Sequence, residues 1–334
     1  MKPINVALIG LGTVGCGVYQ TLHIHRQRLE KLVGAPINIS TIIIEHPEKH
    51  QKIAAKTNVS TDVNTVLNNP EIDVVFEAIV GLEPAFSLLK RCIQSKKHVI
   101  TSNKEMFATH GEELKRLASQ YNVQIGYDAT TAGGIPIIQT IQQLLKANQI
   151  QYVQAILNGT TNFILSAMRE KNITFSTALD EAQNWGYAEA DPGNDIDGFD
   201  AFYKLMILSD LIFEKQPDIE HVKRVGIRNT TEEFIQELQT EGKRLKHIAK
   251  IGYDAAGNLT ASVEPEAVSK EHPLFAVEGV NNAVHIKGDI VGDLTFTGPG
   301  AGSFPTASAM IEDFCILFKK EQAATAIPKA QAPV

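Results

Sequence analysis

Along the first 130 residues, short continuous apolar runs alternate with longer stretches that repeat every three to four positions. Val6 to Ile9, Ile39 to Ile44, Val74 to Ala78, His98 to Thr101 and Val123 to Tyr127 read as strands. Between them lie helical patterns from Thr13 to about Val33, around Glu48 to Thr57, from Pro84 to Ser95 and from Gly111 to Tyr121; the first of these carries Val14, Val18 and Leu22 at i, i+4 and i+8. Strands that are apolar at nearly every position are covered on both faces, and only crossover helices join parallel neighbours. This half therefore predicts a doubly wound α/β domain with a parallel sheet.

After Thr130 the pattern changes. TTAGGIPIIQTIQQLLKANQ is a glycine-rich turn leading into a helix, with Pro136 near its start and Ile137, Ile141, Leu144 and Leu145 on one face. A strand from Tyr152 to Leu157, a helix-rich stretch to about Leu211, an amphipathic segment from Thr231 to Ile251 and short alternating strands to about Thr297 follow. These elements predict a second, α+β domain with an open mixed sheet, covering residues 131–304. A helix from about Pro305 to Phe318 is expected to fold back onto the first domain (residues 1–130), and the tail 321–334 reads as disordered. There is no internal repeat.

Composition narrows the function classes. With 43% hydrophobic and 21% charged residues the chain is an ordinary globular sequence, and no window approaches the ~20 apolar residues of a membrane span. The net charge of −7 is spread out, and no lysine- or arginine-rich run is present, which argues against nucleic acid as a partner. The start, MKPINVALIG, lacks the parts of a secretory signal, so a cytoplasmic protein is expected. Cys16, Cys92 and Cys315 have no metal-type or CxxC spacing and read as reduced thiols.

GLGTVG places Gly10, Gly12 and Gly15 after an apolar strand and before a helix. In that context the glycines allow a tight turn and close approach of backbone N–H groups to a pyrophosphate, which points to dinucleotide binding. Glu45, at the expected end of the second strand, is suited to accept hydrogen bonds from ribose hydroxyls and to repel a 2′-phosphate, favouring NAD. It lies 30 positions after Gly15, longer than the usual ~20, and Lys49 and His50 nearby leave NADP open. In TSNKE, Lys104 follows a strand end at the carboxyl edge of the sheet, where ligands of such domains bind; the alternative is a solvated loop lysine. GYAEADPGNDIDGFDAFYKLMIL holds Glu189, Asp191, Asp195, Asp197 and Asp200, then Lys204 one helical turn after Asp200. The order is not that of an EF-hand, and the bland alternative is a set of caps and a surface ion pair. A lysine among apolar neighbours with a carboxylate one turn away is also suited to donate a proton.

These motifs, with AGGIPII, ILNGTTNFIL and GPGAGSFPTASA, resemble those of homoserine dehydrogenases from about Val6 to about Phe314. The resemblance implies a Rossmann-like cofactor domain completed by the C-terminal helix, and a catalytic and dimerisation domain whose sheet pairs with that of a second subunit, so a homodimer is expected. It implies that Glu189 binds the substrate amino group and Asp195 orients the amino-acid head. Lys104 and Lys204 flank the reacting oxygen, Lys204 donates the proton and Asp200 fixes its position. Thr160 and Tyr187 belong to the substrate pocket. Thr13, Val14, Thr101, Ser102 and Lys104 join the glycines and Glu45 in binding NAD or NADP, with Gly302 near the nicotinamide end. The family's monovalent-cation site, a glutamate with following main-chain carbonyls, falls on Asp128, Thr131, Gly133 and Ile135, with the shorter aspartate in place of glutamate. Many relatives also carry a C-terminal ACT domain, which the residues after Phe318 are too few to form.

The chemistry agrees with these roles. Hydride transfer to an aldehyde builds negative charge on oxygen, which a nearby cation stabilises and protonates. Selecting a zwitterion over simpler aldehydes needs buried polar partners. Two alternatives are a catalytically silent dinucleotide-binding regulator and a dehydrogenase of another small amino-acid aldehyde.

Overall fold

The computed structural model describes residues 2–319. The expected disorder of 321–334 lies outside the described residues.

The first sheet is wholly parallel. Its elements are β1 (Ile4–Ile9), α1 (Thr13–Ile24), α2 (Arg26–Val33), β2 (Ile37–Ile43), α3 (Gln51–Ala54), β3 (Val59–Ser60), α4 (Asn64–Leu67), β4 (Val74–Glu77), α5 (Ala85–Gln94), β5 (His98–Thr101), α6 (Lys104–Tyr121) and β6 (Ile125–Gly126). The strand order β3-β2-β1-β4-β5-β6 reverses direction between β1 and β4, which opens a cleft at their carboxyl ends. Every residue of β1 is buried, as a parallel strand covered on both faces requires.

Several boundaries differ from the sequence reading. The single helix expected over 13–33 is two, broken at His25. An unbroken helix of that length would run about 31 Å, well past strands of about 20 Å, whereas the break lets α1 bury Val18 and Leu22 and α2 bury Leu29 and Val33 in the same core. The helix expected around 48–57 is reduced to a 3₁₀ turn, Pro47–His50, and α3. The helix expected from Gly111 begins instead at Lys104, because the Asn103 side chain caps it by accepting from the Met106 N–H at 3.0 Å. Lys104 is therefore the first residue of a helix, not a loop residue.

The second half contains α7 (Ile137–Gln139), which runs on as a π turn over Thr140–Leu144, then β7 (Ile150–Ile156), α8 (Gly159–Lys171), α9 (Phe175–Asn184), α10 (Gly193–Ile196), α11 (Phe199–Phe213), β8 (Lys223–Arg224), α12 (Glu232–Thr240), β9 (Arg244–Tyr253), β10 (Leu259–Val268), β11 (Asn281–Gly288), β12 (Gly292–Pro299) and α13 (Ser303–Phe318). The second sheet has the order β12-β11-β7-β9-β10-β8; β8 pairs parallel with β10 and the rest are antiparallel. The amphipathic segment 231–251 is not one helix. Gly242, at φ +72°, ends α12, and β9 follows with residues buried on both faces, which reads as an apolar run.

One hydrophobic core joins the two sheets: Val75, Leu89 and Leu114 belong to the same cluster as Ile137, Val153, Leu205 and Val284. Across it α11 packs on α6. Helix α13 packs along α1 with Phe314 against Phe76 at 5.8 Å between ring centroids. The three cysteines are free. No helix among the described residues is long and apolar enough to cross a membrane.

Candidate active site

The glycine turn sits at the strand reversal. The Gly10 N–H bonds to the Ile43 carbonyl at 2.9 Å, tying the turn to the end of β2. A Cβ on Gly15 would lie 2.1 Å from the Gly10 carbonyl oxygen, and one on Gly10 would lie 2.6 Å from that of Ala78, so neither position admits a side chain. Gly12 precedes α1, whose first residues are Thr13 and Val14, and faces open space. The GPGAGS loop closes over this turn: Ser303 Oγ donates to the Thr13 carbonyl at 2.7 Å, and Gly302 adopts φ +122°. Glu45 is exposed two residues beyond β2, with Lys49 exposed nearby.

From β4 and β5 the same edge leads to the lysines. Asn103 Nδ2 donates to the Ile79 and Gly81 carbonyls at 3.1 and 2.7 Å, and its backbone N–H to Thr101 Oγ1 at 3.0 Å. Thr101 is fully buried with its hydroxyl bonded to Glu77, so it holds Asn103 and does not offer that hydroxyl to a ligand. Ser102 is half-buried beside it. Lys104 then meets α11: its Nζ lies 3.1 Å from Asp200 Oδ1. Asp200 Oδ2 takes a bond from Lys204 Nζ at 2.7 Å and one from Asn158 Nδ2 at 2.9 Å. Lys204 is 7% exposed and gives a second bond to the Leu157 carbonyl at 2.7 Å, leaving its third N–H for another partner. Asn158 also donates to Asp195 Oδ1 at 2.7 Å, and Thr160 Oγ1 bonds to Asp195 Oδ2 at 3.0 Å and to the Tyr187 carbonyl at 2.8 Å. Glu189 and the Tyr187 ring are exposed at the mouth.

Residues 10–128 match the model of the homoserine dehydrogenase NAD binding domain, and residues 136–315 that of homoserine dehydrogenase itself. A homoserine dehydrogenase of Bacillus subtilis is 39% identical over 96% of this chain and 74% of its own length. The chain belongs to the homoserine dehydrogenase family. The crystal structure of a homoserine dehydrogenase from Thiobacillus denitrificans superposes with a TM-score of 0.91 at 38% identity, over 100% of this chain and 76% of that one. A hyperthermophilic archaeal homoserine dehydrogenase solved with NADPH gives 0.78 at 28% identity, covering 93% of this chain and 96% of that one.

The electrostatics of this homoserine dehydrogenase site follow from burial and pairing. Burial opposes ionisation of Asp200, but the Lys204 and Lys104 ammoniums outweigh it and hold the carboxyl well below the usual carboxylate range. Lys104 is raised above the ordinary lysine value, chiefly by Asp200 and against the cost of burial, with Asp195 and Glu189 adding to it. Asp195 is pushed up by burial and then by repulsion from Asp200, against its bonds from Asn158 and Thr160. Two cations are thus fixed around one ionised carboxylate, an arrangement suited to a substrate oxygen that gains negative charge.

The YDATTAGGI turn packs against the GPGAG loop: a Cβ on Gly133 would lie 2.3 Å from the Gly300 carbonyl oxygen. Asp128 Oδ1 accepts from the Ile138 and Gln139 N–H groups at 2.8 and 3.2 Å, while its buried Oδ2 has no hydrogen-bond partner among the described residues. Burial, then repulsion from Asp313, push Asp128 up to about 7. The Ile135 carbonyl accepts from the Ile137 N–H at 2.7 Å, and Thr131 is fully buried. No group of three or more His, Cys, Asp or Glu among the described residues has a metal-site arrangement.

Asn158, Asn103 and Glu77 were not among the residues singled out in the sequence. The available signal for the two asparagines was positional: each immediately precedes a helix whose first turn it caps.

Because folding lowers the Asp200 pKa, its pairing stabilises the fold above the ordinary carboxylate range and is lost as pH falls below about 4. Between about pH 7 and about pH 3, denaturant titration should show the native protein losing about 1 kcal/mol more stability than Asp200→Asn. Equal losses in the two proteins would contradict the depressed pKa.

Proposed function

We propose that this chain catalyses the reversible NAD(P)-dependent interconversion of L-aspartate 4-semialdehyde and L-homoserine, the branch step toward threonine, methionine and isoleucine, and does so in the cytoplasm as a homodimer. The observation that carries the reading is the buried Lys204–Asp200 pair joined by the half-exposed Lys104, reached from the glycine turn through Ala78, Ile79 and Asn103. When bound, the nicotinamide cofactor supplies the hydride.

Lys204 is the proton donor. Asp200 and the Leu157 carbonyl fix its ammonium, and the remaining N–H is given to the substrate oxygen. Lys104, with its side chain 43% exposed to the cleft, stabilises the same oxygen from the other side. Asp195, held by Asn158 and Thr160, orients the amino-acid head; Glu189 takes the ammonium, and Tyr187 closes the pocket mouth. Gly10, Gly12, Thr13, Val14 and Gly15 cradle the pyrophosphate, Glu45 the adenosine ribose, and Ser102, the Thr101 main chain and Gly302 the nicotinamide half. For a monovalent cation, Asp128 Oδ2, without a hydrogen-bond partner among the described residues, supports ligation with the carbonyls of Thr131, Gly133 and Ile135, since a buried polar oxygen without a partner is costly. The dimer contact is assigned to the second sheet, whose outermost strand β12 alternates half-buried and exposed positions along its length.

Supplying homoserine with NAD or NADP and following absorbance of the reduced cofactor tests the activity; a preference for substrates without the amino group would favour another dehydrogenase reaction. In Lys204→Ala, kcat should fall by about 10²- to 10⁴-fold while the cofactor still binds, and an undiminished kcat would remove Lys204 from the mechanism. Glu45→Arg should shift the NADP-to-NAD ratio of kcat/KM upward by about tenfold, equivalent to about 1.4 kcal/mol; an unchanged ratio would show that the ribose lies elsewhere.

A further inference from the structure

Glu77 ends β4, and its neighbours in the sheet register are Ile9, the residue before Gly10, and Thr101, three residues before Lys104. Its side chain is fully buried, so it touches neither cofactor nor substrate. Oε1 accepts the Ile79 N–H at 2.7 Å and Oε2 accepts the Thr101 hydroxyl. That hydroxyl in turn accepts the Asn103 N–H at 3.0 Å, and Asn103 closes the ring by donating to Ile79 and Gly81 while capping α6. No ion pair among the described residues neutralises the carboxyl, and burial pushes it up to about 7 against both of its hydrogen bonds. A buried acid is an expensive way to finish a strand, and an apolar residue would pack there as well; what an apolar residue lacks is two acceptors aimed at two different loops.

We propose that Glu77 is a positioning residue: through Ile79 on one side and Thr101 with Asn103 on the other, it locks the segment after β4 to the start of α6, so that the cofactor cleft and Lys104 keep one fixed geometry. The proposal rests on the homoserine dehydrogenase reading of the site and deepens it. Lys104 reaches Asp200 from the first turn of α6, and a rotation of that turn displaces the ammonium that faces the substrate oxygen. Errors of about 1 Å in such a group cost on the order of 100-fold in rate.

The test compares Glu77→Gln and Glu77→Ala by thermal unfolding, by fluorescence titration with reduced cofactor and by steady-state kinetics well below each melting temperature. Gln keeps an acceptor for Ile79 and presents an amide to the Thr101 oxygen, whereas Ala removes both links. The expected result is that Ala lowers kcat/KM by about 100-fold and weakens cofactor binding by about tenfold while Gln stays within about fivefold of the native protein. Asn103→Ala, which opens the same ring at its other end, should lower kcat/KM and cofactor affinity in the same way, and its effect should be less than additive with that of Glu77→Ala. A folded Glu77→Ala with native kcat and cofactor affinity, lowered only in melting temperature, would reduce Glu77 to a packing role, as would full additivity with Asn103→Ala. Cofactor titration needs no homoserine, so a failure of the substrate assignment in the native protein leaves this arm standing on its own.

Discussion

The site depends on one buried carboxylate shared between two ammonium groups. Asp200 is all but sealed from water, and ionising it there is costly unless positive charge is fixed close by. Lys204 comes from the same helix, one turn on, and Lys104 from the first turn of a helix in the other half of the chain. Asn158 and the Leu157 carbonyl complete the bonding, and neither can be displaced without exposing a buried charge. The arrangement therefore ties three elements, α6, α8 and α11, to a single point.

The fold serves that point from both sides. The parallel sheet delivers the glycine turn, Ile79 and Lys104 at the carboxyl ends of β1, β4 and β5, the edge where the strand order reverses. The mixed sheet delivers Leu157 and Asn158 at the end of β7, and Asn282 on β11 anchors the Leu157 carbonyl with a second bond at 2.9 Å while packing against Gly300. The loop that follows, ending in Gly302 and Ser303, crosses back to the glycine turn before α13 joins the first sheet. Because a common core runs between the sheets, the cleft lies between elements that are packed against each other.

What was legible in the sequence was what repeats or what carries charge in an apolar context. Strand β5 was read to its exact ends, and Lys204 stood out because Phe202, Leu205 and Met206 surround it. Element ends set by single side chains were harder. The start of α6 hangs on the Asn103 cap, and the break at His25 on the length of the sheet beneath, neither of which periodicity reports. Long-range partners were hidden for the same reason: Asn158 and Asp200 are 42 positions apart, and Glu77 and Thr101 are 24 apart. The clustering of Lys104 with Asp200 came from the family resemblance, since nothing in local spacing joins a strand end to a helix nearly a hundred residues later.

The most direct measurement is a crystal structure of the protein with reduced cofactor and homoserine. The expected result is Lys204 Nζ within about 3 Å of the homoserine hydroxyl oxygen, still bonded to Asp200, with the nicotinamide ring on the opposite side of the reacting carbon. A homoserine whose hydroxyl lies out of reach of both Lys204 and Lys104, or a Lys204 that leaves Asp200 when substrate binds, would contradict the assignment.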